Sequence, residues 1–181
     1  MYVPLLFYKI LNFLNFHRFL KHVERTKVLL FVVDINGFKF KAASKARSPL
    51  ETALALMKEL ELFNEDLVHR KALMCVNKAD EDVDDKLVER VVDEMRNIQE
   101  VVDDLDVDPS VVPKTILKFD RVRAISAATG VHVDELIGDL RCAVDEEAAK
   151  LAAAQLDEEE RDYRIDDYTF HLTERRKTTI V

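Results

Sequence analysis

The chain has 181 residues, 48% of them hydrophobic, and a formal net charge of -8. This length allows a full hydrophobic core, whereas only three glycines and four prolines argue against an all-β fold rich in tight turns and favour helices around a small sheet. Cys75 falls in an apolar run and Cys142 in a predicted helix, with no CxxC spacing, and two thiols so placed are typical of reduced core residues in an intracellular protein.

The charge is unevenly distributed along the chain. Residues 1–47 contain nine Lys or Arg residues and two acidic residues, a net charge of +7, so the remaining residues carry -15. A basic N-terminal region followed by an acidic remainder predicts that the N-terminal region contacts a polyanion such as ribosomal RNA. The alternative is a set of solvated loops and helix faces that bind nothing.

Residues 1–16 are apolar and aromatic, interrupted by Lys9, Asn12 and Asn15. The run is shorter than the roughly 20 apolar residues of a membrane span. It also lacks the charged start and the cleavage site of a signal peptide. We interpret it as an atypical start of the chain, with membrane anchoring as the less favoured alternative.

The next residues predict a helix, a strand and a second helix. A short amphipathic helix is expected at residues 17–26, and the continuous apolar run at residues 27–34 is typical of a strand buried on both faces of a parallel sheet. A polar, basic loop at residues 35–47 follows. Ser48 then provides an N-cap and Glu51 completes a capping box, with proline at the first helical position.

The pattern of a strand followed by a helix repeats twice more. A strand at residues 71–76 places Asn77 at its carboxyl end, and a helix with an apolar stripe follows at residues 87–98. A third strand is expected at residues 121–125, and the last helix packs through apolar positions within residues 133–144. Repeated strand–helix units of this kind predict an α/β fold, half of a doubly wound parallel sheet with three strands and flanking helices.

Two short motifs follow the second and third predicted strands. NKAD occupies residues 77–80, and SAATG occupies residues 126–130. In doubly wound folds, ligands bind at the carboxyl ends of the strands. We therefore expect the two motifs to form one site. The alternative for NKAD alone is a turn capped by Asn and Asp.

The side chains of the first motif suit recognition of guanine. The Asp80 carboxylate can accept hydrogen bonds from both N1–H and the N2 amino group, a bidentate and charge-assisted arrangement. Asn77 offers an amide for N7 and for linking the two loops. Lys78 can lay its methylene stem along the face of the base.

The second motif supplies backbone groups. The N–H of Ala127 is expected to point towards O6 of guanine, in a loop that includes Ala128 and that Ser126 braces. Since both motifs occur in order after separate strands, their combination favours a guanine-binding site over two unrelated turns.

The chain resembles Obg-type GTPases in longer stretches than these motifs. Residues 17–34, HRFLKHVERTKVLLFVVD, are similar to the segment that follows switch II in that family, and residues 49–66 match it too. The turn at residues 34–38 is most similar to the animal mitochondrial branch. The resemblance implies a partial Obg-type G domain at residues 17–149, of the P-loop NTPase (Ras-like) class. Residues 150–181 are then a charged helical extension with a mobile tail.

The resemblance also implies GTP or GDP as ligand, GTP hydrolysis, a role in assembly of the large ribosomal subunit, and a mitochondrial location, with nucleolus or cytoplasm as alternatives. The sequence departs from the family in having no Gly-x-x-x-x-Gly-Lys-Ser/Thr P-loop and no switch motifs. Mg²⁺ is implied by the family only and has no ligands here, and no catalytic residue can be named. Nucleotide binding is therefore expected to be weak or absent.

Two alternatives to a GTP-binding protein remain open. One is a non-enzymatic module that binds a ribosomal or protein partner. The other is a fragment that is unstable alone, because the strand at residues 27–34 would lie beside the missing P-loop strand and leave a hydrophobic edge. Residues 1–16 are apolar enough to cover that edge.

Overall fold

The computed structural model describes residues 20–39, 46–80, 84–104 and 111–177, so the apolar segment 1–16 lies outside the described residues. The described part is an α/β structure. Its elements are β1 (Val28–Asp34), α1 (Pro49–Phe63), a 3₁₀ helix (Glu65–His69), β2 (Lys71–Asn77), α2 (Asp85–Arg96), α3 (Ile98–Asp104), β3 (Arg121–Ala124) and α4 (Val133–Lys177).

The three strands form one parallel sheet in the order β1-β2-β3. In the register of β1 and β2, Val28 lies opposite Lys71 and Asp34 lies opposite Asn77, so both strands end level with each other. β3 pairs with the second half of β2, from Leu73 onwards. The predicted fold class is confirmed, and the strand bounds agree with the prediction to within one residue.

One face of the sheet carries the main core. Alternate residues of β1 and β2 point to this face, where α1 and α2 pack on them. Phe31 contacts Phe119 edge to face, with ring centroids 5.2 Å apart. The buried residues of this core include Leu29, Val33, Leu54, Met57, Met74, Val76, Val91 and Met95.

The other face is covered over only part of its width. Leu136 of α4 packs on Cys75 and Ile125, and burial raises the pKa of the Cys75 thiol to about 11. On β1, however, Leu30 is 38% exposed and Val32 is 52% exposed. The prediction that β1 is buried on both faces is therefore wrong for the described residues. The reason is that α4 follows β3 and packs on β2 and on Ile125, so it does not cover this face of β1.

The start of α1 agrees with the sequence signal. Ser48 Oγ accepts a hydrogen bond from the Glu51 N–H at 3.1 Å, and Glu51 Oε2 accepts one from the Ser48 N–H at 2.8 Å. The helix predicted at residues 87–98 is instead divided. Asn97 ends α2 by donating its N–H to the Asp93 carbonyl at 3.0 Å, and its own carbonyl accepts from Glu100 to begin α3.

A buried glutamate fixes the connection that leads into β3. Glu61 of α1 is 7% exposed. Its two carboxylate oxygens accept hydrogen bonds from the N–H groups of Lys114 and Thr115, at 3.1 and 2.9 Å, and Lys58 lies 2.9 Å away. Burial alone would raise the pKa of Glu61, but these hydrogen bonds outweigh it and hold the pKa below its usual value.

The chain divides into two units, residues 1–143 and 144–181. α4 continues to Lys177, well beyond the apolar positions that predicted it, while the mobility predicted for residues 162–181 stays a prediction.

Among the described helices, none has the length and apolar character that crossing a membrane requires.

A second buried carboxylate ties β3 to α4. Asp139 is 6% exposed, and its two oxygens accept hydrogen bonds from Arg121 and Arg123, each at 2.6 Å. Burial raises the pKa of Asp139, but the hydrogen bonds and charges of the two arginines outweigh burial and lower the pKa below its ordinary value. The folded state therefore gains stability from Asp139 whenever that group is ionised.

We predict that Asp139→Asn lowers the urea midpoint of unfolding at pH 7, because the amide keeps the shape of the carboxylate and loses its charge. Since the folded-state pKa of Asp139 is depressed, its contribution is present above the unfolded value of about 4 and is lost as the pH falls below it. The difference between variant and wild type should therefore shrink at pH 3. Asp145→Asn, an exposed position on the same helix, is the control. Equal midpoints for Asp139→Asn and wild type at pH 7 would contradict this role.

Candidate functional site

The two motifs meet at the carboxyl edge of the sheet. Asn77 is the last residue of β2, and its Oδ1 accepts a hydrogen bond from the Ala127 N–H at 3.0 Å. A second bond joins the same loops, from the Ala79 N–H to the Ile125 carbonyl at 3.0 Å. Residues 50 positions apart in the chain are thus held within one hydrogen bond of each other.

The second motif is a closed loop around one buried serine. Ser126 is fully buried, and its Oγ accepts from the Thr129 N–H at 3.1 Å. Its carbonyl accepts from Gly130 and its N–H donates to the Val131 carbonyl, at 2.9 and 3.1 Å. Gly130 has a φ of 84°, a left-handed conformation that glycine adopts without strain. The loop shape is therefore set by its own bonds, and Ala127 and Ala128 are exposed on it.

The lysine of the first motif is held by an aspartate from the neighbouring strand. Lys78 Nζ lies 2.7 Å from Asp34 Oδ2, and Asp34 Oδ1 accepts from the Asn36 N–H at 2.9 Å. Lys78 has a φ of 67°, a conformation that non-glycine residues adopt only when surrounding contacts support it. The ion pair with Asp34 and the Ala79 bond to Ile125 supply such contacts.

Asp34 is a residue of the site that the sequence analysis did not single out. It ends β1 directly opposite Asn77, so parallel pairing of successive strands brings it beside the NKAD motif. The signal was present in the sequence as an aspartate at the end of an apolar run. Recognising it required the register of the two strands, which a single sequence does not give.

Two polar groups of the motifs remain open towards a ligand. The Asp80 side chain is exposed, and so is Ala128; neither the Asp80 carboxylate nor the Ala128 N–H has a hydrogen-bond partner among the described residues. The Ala127 N–H, expected to face O6 of guanine, donates to Asn77 instead. The two motifs thus carry one exposed acceptor and one exposed donor, and the Asn77 amide oxygen is held by Ala127.

The same edge does not fit the phosphate and metal half of a nucleotide site. Within residues 20–39, 46–80, 84–104 and 111–177, no three His, Cys, Asp or Glu side chains are grouped so as to hold a metal ion. The sequence has no P-loop motif, and its three glycines are too far apart to form one. The described residues therefore do not fit Mg²⁺ with a triphosphate.

Comparison with known proteins gives relatives over most of the chain. No family model matches it. It is 41% identical over 134 residues to GTP-binding protein 10 of Homo sapiens, which is 73% of this chain and 34% of that protein. For the protein of the same name in Xenopus tropicalis the identity is 38% over 136 residues, again 73% of this chain and 34% of the relative.

A bacterial relative extends the match. The chain is 28% identical over 168 residues, 91% of its length, to the GTPase Obg of Alkaliphilus oremlandii, of which it covers 33%. The chain thus spans about a third of the length of the curated relatives it matches. With its parallel sheet and the motifs at its carboxyl edge, the chain belongs to the Obg family of GTPases, as a relative of GTP-binding protein 10.

Proposed function

We propose that this chain is the base-recognition half of an Obg-family GTP-binding protein and that it binds GTP or GDP through guanine. The observation that carries the proposal is the hydrogen bond from the Ala127 N–H to Asn77 Oδ1, because it joins the two motifs into one surface. Asp80 follows Asn77 by three residues in the same motif and is exposed.

Each motif residue has a role that its chemistry permits. The Asp80 carboxylate accepts from N1–H and the N2 amino group of guanine. Since Asn77 Oδ1 is bonded to Ala127, the Asn77 amide N–H₂ is the group that donates to N7. The Ala128 N–H then donates to O6, in place of Ala127, and Ser126 holds the loop in shape through Thr129.

Lys78 contributes through its methylene stem. Its ammonium is bound by Asp34, so the stem is fixed at one end and can lie along the face of the base. We therefore add Asp34 to the site as a positioning residue. It acts on the base through Lys78 and does not touch the base itself.

Affinity is expected to be low because the phosphates have no cradle of N–H groups in this chain. Base contacts alone correspond to a millimolar Kd, on the order of -4 kcal/mol. GTP hydrolysis, the activity in the name of the bacterial relative, would require phosphate-binding elements that this sequence lacks.

The family resemblance further suggests a role in assembly of the large ribosomal subunit and a mitochondrial location. Support for an RNA partner comes from the basic first 47 residues, net +7. Four of the described basic side chains in that region are exposed, and exposed Lys and Arg side chains bind phosphate backbones. These four are Lys21, Arg25, Lys27 and Lys39.

Asp80→Asn is predicted to abolish the preference for GDP over ADP, because an amide cannot accept from both guanine donors. The measurement is a titration of the ¹⁵N-labelled chain with each nucleotide, followed by NMR. Asp93→Asn is the matched control, since Asp93 is an exposed aspartate near the end of α2, paired with Arg96 at 3.2 Å. A GDP affinity that Asp80→Asn leaves unchanged would refute the assignment of the base site.

Asp34→Asn is predicted to weaken GDP binding about two- to fivefold, the equivalent of a partly exposed ion pair of about 0.5–1 kcal/mol. The variant keeps the side-chain shape and removes the ion pair with Lys78. Asp120→Asn is its control, because Asp120 pairs with Lys71 at 2.9 Å at the other end of β2. If both variants change GDP affinity equally, the ion pair of Asp34 has no specific part in binding.

The chain alone is predicted not to hydrolyse GTP in the presence of Mg²⁺, since phosphoryl transfer depends on a P-loop lysine, a positioned metal ion and an oriented water. Phosphate release from GTP should equal that of Asp80→Asn prepared in the same way. Turnover that persists through repeated purification and disappears in Asp80→Asn would show that hydrolysis occurs here.

A further inference from the structure

His132 has a backbone conformation that favours glycine. Its φ is 55°, in the left-handed region that residues with a side chain occupy only where surrounding contacts support it. The residue lies directly before α4 and two positions after the SAATG motif, and its carbonyl accepts from the Leu136 N–H at 3.2 Å. A glycine would adopt this φ without strain, so the chain has a histidine here at a cost in backbone free energy.

The imidazole of His132 contacts the end of β3. Its Nδ1 lies 3.2 Å from the carbonyl oxygen of Ala124. Because a carbonyl oxygen only accepts hydrogen bonds, Nδ1 carries the proton in this contact. The neutral ring is therefore the Nδ1–H tautomer, with Nε2 unprotonated. Since His132 is exposed, burial in the core does not explain this arrangement of the ring.

The bond from His132 joins the two ends of the SAATG loop. Ala124 is the last residue of β3 and lies opposite Val76 of β2, whereas His132 follows the loop. Inside this bond, the Ser126 N–H donates to the Val131 carbonyl at 3.1 Å. The other bonds of Ser126 described above lie within the motif itself. The side chain of His132 thus holds the point where the chain leaves the loop against the strand from which the loop begins.

We propose that His132 is a positioning residue for guanine recognition: by bonding to Ala124, it fixes the exit of the SAATG loop and with it the direction of the Ala128 N–H. This role rests on the proposed function, in which the Ala128 N–H donates to O6 of guanine. Adenine carries an amino group where guanine carries O6, and a hydrogen bond weakens steeply when its donor is misaligned. The direction of this N–H therefore affects the preference for guanine over adenine.

Two substitutions of His132 separate the hydrogen bond from the backbone conformation. His132→Asn keeps a donor, because the asparagine amide nitrogen can take the place of Nδ1, and asparagine tolerates a left-handed φ well. His132→Gly adopts the same φ without strain and has no donor. We expect His132→Gly to reduce the ratio of GDP to ADP affinity about two- to tenfold, the range of one hydrogen bond. His132→Asn should keep the wild-type ratio. The measurement is an NMR titration of the ¹⁵N-labelled chain with each nucleotide.

Two measurements without nucleotide test the bond and the loop directly. Long-range ¹H–¹⁵N correlation at about pH 8.5, where imidazole is neutral, should show that Nδ1 of His132 is protonated. His69 is the reference histidine, because it is exposed and its ring has no hydrogen bond among the described residues. The amide resonance of Ala128 should shift in His132→Gly and stay at its wild-type position in His132→Asn.

Three results would overturn the proposal. An Nε2–H tautomer of His132 would show that the bond to Ala124 is absent. An Ala128 resonance that His132→Gly leaves in place would show that the loop does not depend on the bond. A ratio of GDP to ADP affinity that is unchanged in His132→Gly and lost in Asp80→Asn would show that the bond has no part in recognition. If the wild-type chain has no preference for guanine, the proposed base site itself fails, while the tautomer and the Ala128 resonance still decide whether His132 holds the loop.

Discussion

The parallel pairing of β2 with both of its neighbours is the constraint on which the rest of the structure depends. Because the three strands run in one direction, their carboxyl ends lie at one edge, and Asp34, Asn77 and the loop after Ile125 meet there. A parallel sheet requires a crossover between successive strands, which α1 and α2 provide. The residues that carry the proposed chemistry come from three separate segments of sequence, and the sheet alone makes them neighbours.

Two buried carboxylates keep that sheet in register with its surroundings. Glu61 binds the backbone of the connection before β3, and Asp139 binds two arginines of β3 itself. Both bind β3 or the connection that leads into it, and β3 precedes the SAATG loop. A short strand such as β3 has few ladder bonds of its own. Charge-assisted bonds to buried carboxylates are stronger than neutral ones, so they contribute to holding β3, and the loop that follows it, in place.

The sequence predicted the strands and the start of α1 because their signals are local. An apolar, β-branched run such as residues 71–76 has one favoured interpretation, and a serine, a proline and a glutamate at fixed spacing define a helix start. The ion pair of Asp34 with Lys78 was not predictable, since it depends on register between strands. Nor was the exposure of Leu30 and Val32, because a continuous apolar run looks the same whether one face is covered or two. The Asn97 break in α2 was missed for a related reason: the apolar stripe continues through it to buried Ile98.

The separation of the base site from any phosphate site affects affinity and specificity differently. Discrimination between GDP and ADP is a difference of two binding free energies, and the phosphate contacts, being common to both nucleotides, cancel in that difference. The loops that carry the two groups proposed to distinguish the bases, the Asp80 carboxylate and the Ala128 N–H, are held by bonds within this chain: Asn77 to Ala127, and Ser126 to Thr129. None of these bonds involves a phosphate-binding element. A chain with this edge and no P-loop is therefore expected to bind nucleotide weakly and still to prefer guanine, so the ratio of GDP to ADP affinity is a better test of the site than the affinity for either nucleotide.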